Sequence, residues 1–325
     1  MTEEGESLAV GGQAVMEGVM MRNGDVYSIA VRRADGEIVA ASRPWFTLAR
    51  GSFFKKPCIR GFPLLLETMI NGIKALNFSA ELALQGEGEE LKPWQLALTL
   101  AAAMLFAVGL FIVTPHFLTM LLGYLGISGG VEFFSFHLWD GLIKFSIFLC
   151  YIAAISCLRD IRRVFQYHGA EHKAISAYES SFRPVDVELA ERQSRLHPRC
   201  GTTFLLFVLS IAIILHVLLL PLLLFFWVPE NAFYKHGVVI VLKLLLMIPI
   251  SSLAYEAIRL GARLGDNFFG KIMRAPGLLL QTLTTREPDR RQLEVSLTAL
   301  NEALKCGNRH AETEVITPSY SLLDP

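Results

Sequence analysis

Residues 94–127 contain no aspartate, glutamate, lysine or arginine. An uncharged run of that length has few places to go, because a bilayer core takes about 20 apolar residues as a helix that satisfies its own backbone. The run exceeds one ordinary span, so a break is expected at Pro115 and His116, with Trp94 at one interface. Three more apolar stretches follow: 141–158 after Trp139, Thr203 to Val228, and Gly237 to Tyr255. Four spans return the chain to its starting side. Composition agrees, since 53% of residues are hydrophobic, 18% are charged and the mean hydropathy is +0.44, all outside soluble norms. The fold class expected is an α-helical integral membrane protein with four transmembrane helices, a small N-terminal β-meander and cytoplasmic amphipathic helices.

Lysine and arginine orient the spans. The connection 159–200 holds Arg159, Arg162, Arg163, Lys173, Arg183, Arg192, Arg195 and Arg199, whereas 115–139 holds none and 228–236 only Lys235. That connection and both termini are therefore expected in the cytoplasm. The N-terminus is acidic through Glu3, Glu4 and Glu6, without a nearby apolar core, so no cleaved signal is expected. Five cysteines, Cys58, Cys150, Cys157, Cys200 and Cys306, form no C-x-x-C pair and read as reduced thiols. Thirty basic and thirty acidic residues cancel, so no bulk field draws nucleic acid, and none is expected as a partner.

The remaining segments divide by pattern. Residues 1–50 alternate apolar and polar after position 8, as in Val26 to Val31, with turns at Asn23-Gly24-Asp25 and Ala34-Asp35-Gly36: a β-meander. Its first segment, Gly11 to Arg22, is interrupted by glycines and is read as a strand with a tight bend. A second possibility lays that ribbon on the functional site, presenting Glu17 and Arg22. Within 51–92, helical spacing from Arg60 to Leu84 predicts an amphipathic helix, either on the membrane surface or packed on the meander, before a polar linker. Segments 93–158 and 201–257 hold the two span pairs. In 258–307, a surface-lying stretch precedes a helix opened by Pro288-Asp289, whose stripe Leu293, Leu297, Leu300 and Leu304 must be buried. Residues 308–325 read as a loose tail.

Chemistry concentrates in Tyr167-His168-Gly169-Ala170-Glu171-His172-Lys173. On a helix, His168 and His172 share a face with Cβ atoms roughly 6 Å apart. Two neutral imidazoles so placed suit a zinc-sized cation, and Glu171 could orient or deprotonate a water there, in the H-x-x-E-H order of one metallopeptidase class. A structural alternative has the pair cap a helix or bind a partner. A catalytic zinc centre needs a third ligand. His197, in Leu196-His197-Pro198-Arg199-Cys200-Gly201-Thr202 before the third span, ranks first, followed by Glu256, Glu179 and Cys200. A closed set of three histidines and Cys200 would be structural. His216 and Lys243 lie inside spans, where ionisable groups are costly, and could mark a transport path, although Lys243 could snorkel outward. His116, His137, His236 and His310 are read as solvated.

Several blocks together resemble the YqhQ-like family of bacterial multi-pass membrane proteins of unknown function, described as predicted metal-dependent enzymes. They are Gly11 to Arg22, Tyr167 to Lys173 with Tyr178-Glu179, His197 to Thr202, and Thr284 to Asp289. The resemblance implies a bacterial inner-membrane protein with these blocks as its signature, and it supplies no reaction. Three functions are compatible with the residues. The first is a metal-dependent hydrolase at the cytoplasmic membrane interface, with a divalent metal such as zinc, Glu171 as base and a substrate from the bilayer or its surface. The second is a scaffold with a structural metal site that docks a protein partner, and the third is a small transporter.

Overall fold

The computed structural model describes residues 10–48, 51–84, 93–181, 185–226, 230–264, 267–307 and 315–317. Strands β1 (Gly11–Val15), β2 (Gly18–Asn23), β3 (Val26–Arg32) and β4 (Ile38–Pro44) form an antiparallel meander, as the alternation predicts. The segment read as one interrupted strand is in fact two. Register Val15↔Gly18 closes a two-residue turn at Met16 and Glu17, and Glu17 takes a φ of 52° to make it. A fifth strand, β5 (Val315–Thr317), pairs with β4 inside the stretch expected to be loose; the rest of that tail, with His310, lies outside the described residues.

Alternation gives the sheet two apolar faces. Val19, Met21, Ala30, Ile38 and Ala40 point one way, Met20, Ile29 and Val31 the other. Helix α1 (Gly61–Leu84) covers the second face with Ala75 and Leu82, and Asn71 and Glu67 accept the N–H groups of Phe46 and Leu48. Of the two placements open to α1, packing on the meander is the one seen.

Helices α2 (Pro93–Val108) and α3 (Thr114–Tyr124) are joined by a π-helical segment, Gly109–Val113, so the long uncharged run stays helical through Pro115 and His116, where the sequence predicts a break. Pro115 offers no N–H to the preceding turn, and Gly109 O instead accepts both the N–H and the hydroxyl of Thr114. Helices α4 (Phe134–Ile155), α7 (Gly201–Phe226), and α8 (Ala232–Leu245) with α9 (Met247–Arg263) complete the set. Four stretches, Ala97–Tyr124, Phe134–Ile155, Gly201–Phe226 and Phe233–Gly261, are long and apolar enough to cross a membrane. Between the second and third lie α5 (Arg159–Ser181) and the short α6 (Val187–Glu191); α10 (Phe268–Thr284) and α11 (Arg290–Gly307) end the helical part.

Helices α5 and α11 cover the first face of the sheet. The leucine stripe of α11 finds its cover here, with Leu293, Leu297 and Leu300 at most 1% exposed against β2, β3 and α5. Burying three such side chains contributes on the order of 1.5–3 kcal/mol each. On α5, Ala170, Ala174 and Ala177 are wholly buried and let the helix pack close.

Two expectations about single residues fail. His116 and His137, read as solvated, are 4% and 0% exposed, and His236 is half-buried against His116. Lys243 does not snorkel: it is 1% exposed and donates to Asp140 at 2.5 Å. A lone cation finds a carboxylate within the bundle, so reaching an interface gains it nothing.

Candidate metal centre

The i, i+4 spacing places His168 and His172 on one side of α5, their ring centroids 4.4 Å apart. Each imidazole is fixed from behind. His168 Nδ1 lies 2.9 Å from Thr284 O, and His172 Nδ1 lies 2.6 Å from Arg195 O. A carbonyl only accepts, so in both rings Nδ1 carries the hydrogen and Nε2 presents its lone pair. This is how protein-bound metals find their histidines held, by an outer acceptor that sets tautomer and angle. The two lone pairs face the Cys200 thiol, with His168 Nε2 3.2 Å from Sγ. Ligand atoms of His168, His172 and Cys200 all fall within 4.8 Å of one another. His172 Nε2 is buried and has no hydrogen-bond partner among the described residues.

Cys200 arrives from a different part of the chain. It immediately precedes α7, where Thr202 N–H and the Thr202 hydroxyl lie 3.4 and 3.1 Å from Sγ. A helix N-terminus favours a thiolate. Burial works the other way and pushes the Cys200 thiol up, opposed by the Thr202 and Thr203 contacts. Burial likewise drives His172 down to about 3, with His168 adding to the effect, so this ring is a neutral donor. Zinc-class cations take neutral imidazole and cysteine thiolate, so Cys200 would give up its proton on binding one, and three such ligands leave a fourth position free.

Glu171 projects beside this cluster under β1. Its carboxyl is raised to about 8, chiefly by burial, with His168 and the Ala14 N–H acting against the rise. Gly12 of β1 makes room for it. A Cβ at Gly12 would stand 2.7 Å from Glu171 Cγ, so no larger residue lets the strand pass. A small cavity of about 90 Å3 opens here, between Gly11 and Gly12 on one side and Glu171, His172, His197 and Cys200 on the other. Its volume is enough for a few waters or the end of a larger molecule.

The structure groups the candidate third ligands differently from their order in the sequence reading. Cys200, placed last, joins the two histidines. His197, placed first, stands next to them with its ring 5.7 Å from that of His172, but its Nε2 faces Glu179 at 3.3 Å. Its backbone is clamped by Gln281, which accepts from His197 N and donates to His197 O, both at 2.9 Å. Glu179 is committed to His197 and Arg199. Glu256 is carried away from the cluster, because α9 packs on the start of α1 and Arg60 binds its carboxylate at 2.6 Å. Glu17 does reach α5, pairing with Arg163 and Tyr167, without joining the cluster, and Arg22 stacks on Trp45 instead.

Missing from the sequence reading are the groups that brace the site. The segment between α10 and α11 lies along α5, with Arg286 N–H donating to Phe165 O at 2.8 Å. Arg195 binds Thr285 through both its carbonyl and its hydroxyl, at 2.5 and 2.9 Å, while its own carbonyl holds His172. Main-chain acceptors leave no mark on residue identity. The only available sign is Gly169, where a Cβ would lie 2.1 Å from Arg286 O.

Fold and site together define a class: an α-helical protein in which four long apolar helices adjoin a head of one β-meander and packed helices, with a His-His-Cys cluster where the two parts meet. Within that class the chain belongs to the family described as "Protein of unknown function (DUF1385)", whose model matches residues 56–306. It is 34% identical over 312 residues to the "Uncharacterized protein YqhQ" of Bacillus subtilis (strain 168), covering 91% of this chain and 92% of that protein. No solved structure matches.

Proposed function

We propose that this protein is a metal-dependent hydrolase of the bacterial inner membrane, with His168, His172 and Cys200 holding a divalent cation, zinc by donor type, and Glu171 acting as general base. The reading rests on the buried Nε2 of His172, which has no hydrogen-bond partner among the described residues, in a cluster where ligand atoms of His168, His172 and Cys200 lie within 4.8 Å of one another. A bound zinc-class cation makes water acidic enough to ionise near neutral pH and polarises a carbonyl or phosphoryl oxygen. Three protein ligands leave room for that water, as a catalytic centre requires and a structural one does not. Glu171 lines the same cavity as His172 and Cys200; burial keeps its carboxyl protonated near neutral pH, and a cation held by the three ligands would draw that proton off and leave it a carboxylate able to serve as base.

The arginine-rich connection 159–200 favours the cytoplasmic side for the site and both termini. Its place at the start of α7 suits a substrate that reaches it from the bilayer surface. The test is elemental analysis and metal-edge X-ray absorption on detergent-purified protein without an affinity histidine tag, beside His168→Ala/His172→Ala. About one transition metal per chain, bound by two nitrogens, one sulfur and one oxygen and lost in the double variant, is the expected result. Metal at the variant's background overturns the reading. A closed set of three nitrogens and one sulfur, recruiting His197, replaces it with a structural site.

A further inference from the structure

The four apolar helices carry a second set of ionisable side chains, at the end of the bundle away from Cys200. His116 on α3, Asp140 and Lys144 on α4, His216 on α7 and Lys243 on α8 are all buried. Lys243 Nζ lies 2.5 Å from Asp140 Oδ1 and 3.2 Å from His116 Nδ1. Lys144 donates to the other oxygen of Asp140 at 3.3 Å. From His116 the chain of contacts runs outward, since His116 Nε2 is 2.8 Å from His236 Nδ1. His236 is half-buried, next in sequence to Lys235, which pairs with Glu132.

Ionisable groups are expensive inside apolar helices, and a single ion pair would be enough to join two of them. Here two ammonium groups share one carboxylate. The second lysine has a purpose if the first changes charge: when Lys243 loses its proton, Lys144 remains to balance Asp140. We propose that the bundle contains a proton relay, in which Lys243 is the buried station and His116 and His236 connect it to one aqueous face.

The hydrogen-bond directions fit. An ammonium only donates, so Lys243 donates to His116 Nδ1. His116 then bears its hydrogen on Nε2 and donates to His236 Nδ1, which leaves the His236 hydrogen on its Nε2. In one transfer Lys243 gives a proton to His116 Nδ1, His116 passes its Nε2 proton to His236 Nδ1, and His236 releases its Nε2 proton to water. Lys243 ends neutral and both imidazoles end neutral in the opposite tautomer. Reloading from water reverses each step.

His216 lies in the same bundle, 3% exposed, and neither of its ring nitrogens has a partner among the described residues. His137 is tied through Nε2 to Val131 O at 2.9 Å. At 1.5 Å per residue, α7 rises about 24 Å from its start beside Cys200 to His216, which places His216 well away from the His168 cluster.

Movement of charge part-way across a membrane gives a transient current, which solid-supported-membrane electrophysiology reads from proteoliposomes after a pH jump. Wild-type vesicles are expected to give a transient well above protein-free vesicles. Lys243→Arg keeps the charge on Asp140 but cannot release it, and should reduce the transient at least tenfold; His116→Phe should slow it at least tenfold. All samples are checked for monodispersity and thermal unfolding. A wild-type transient no larger than that of empty vesicles, or an undiminished one in folded Lys243→Arg, overturns the relay. The current requires no metal, so its outcome is independent of the His168 cluster.

Discussion

Gly169→Ala sets local and tertiary preferences against each other. Within α5 alone the change should help, because alanine is favoured over glycine in a helix interior by about 1 kcal/mol. The tertiary contact opposes it. The new Cβ would stand 2.1 Å from Arg286 O where ordinary contact begins at 3.4 Å, so the 285–289 segment must retreat by about 1.3 Å. Overpacking of this kind costs about 1–3 kcal/mol, and the Arg286-to-Phe165 hydrogen bond of 2.8 Å is stretched with it, at a further 0.5–1.5 kcal/mol or about that. The net expectation is a loss of about 0.5–3.5 kcal/mol. The same retreat pulls Thr284 O away from His168 Nδ1, now 2.9 Å distant, and loss of such an outer contact typically weakens metal binding about 10–100-fold. Thermal unfolding in detergent reads the first effect, and zinc competition with a chromophoric chelator the second. A variant as stable as wild type with unchanged zinc affinity would refute the argument, since helix propensity would then have outweighed the contact.

Glu171→Gln preserves volume and an acceptor for Ala14 N–H, so metal content and unfolding temperature should stay near wild type while hydrolytic turnover, once a substrate is found, falls at least a hundredfold. Cys200→Ser should lower zinc content sharply, whereas Glu256→Gln, which disturbs only the pair with Arg60, should leave it unchanged; metal analysis of the two side by side decides whether the structure or the sequence ranking chose the third ligand. Leu297→Ala, in the wholly buried stripe of α11, should destabilise the head by about 2–5 kcal/mol without altering the four apolar helices, seen as early loss of protease resistance at the sheet.

The features legible in the sequence are those written in adjacent residues. A charge-free run longer than a bilayer is thick reads as a long apolar helix, and the short β-rich run Val26 to Val31 between two glycine turns reads as a strand, which the structure buries on both faces. The α11 stripe declared a buried face, and the His168/His172 spacing declared a shared one, because helical geometry fixes both within a turn or two. What the chain could not declare is which distant residues meet. Cys200 is 32 residues from His168 and Thr284 is 116, and their convergence depends on how α5, α7 and α10 cross, which no local pattern encodes. His197 looked the better ligand by type, but the Gln281 clamp and Glu179 turn it aside. His116 looked solvated by its neighbours in sequence, yet the bundle closes over it and supplies Lys243. Hydropathy acts along the chain and settled the elements, while the His168–His172–Cys200 cluster and the Lys243–Asp140–His116 network wait on packing, because a side chain's partners are set by contacts between elements rather than within them.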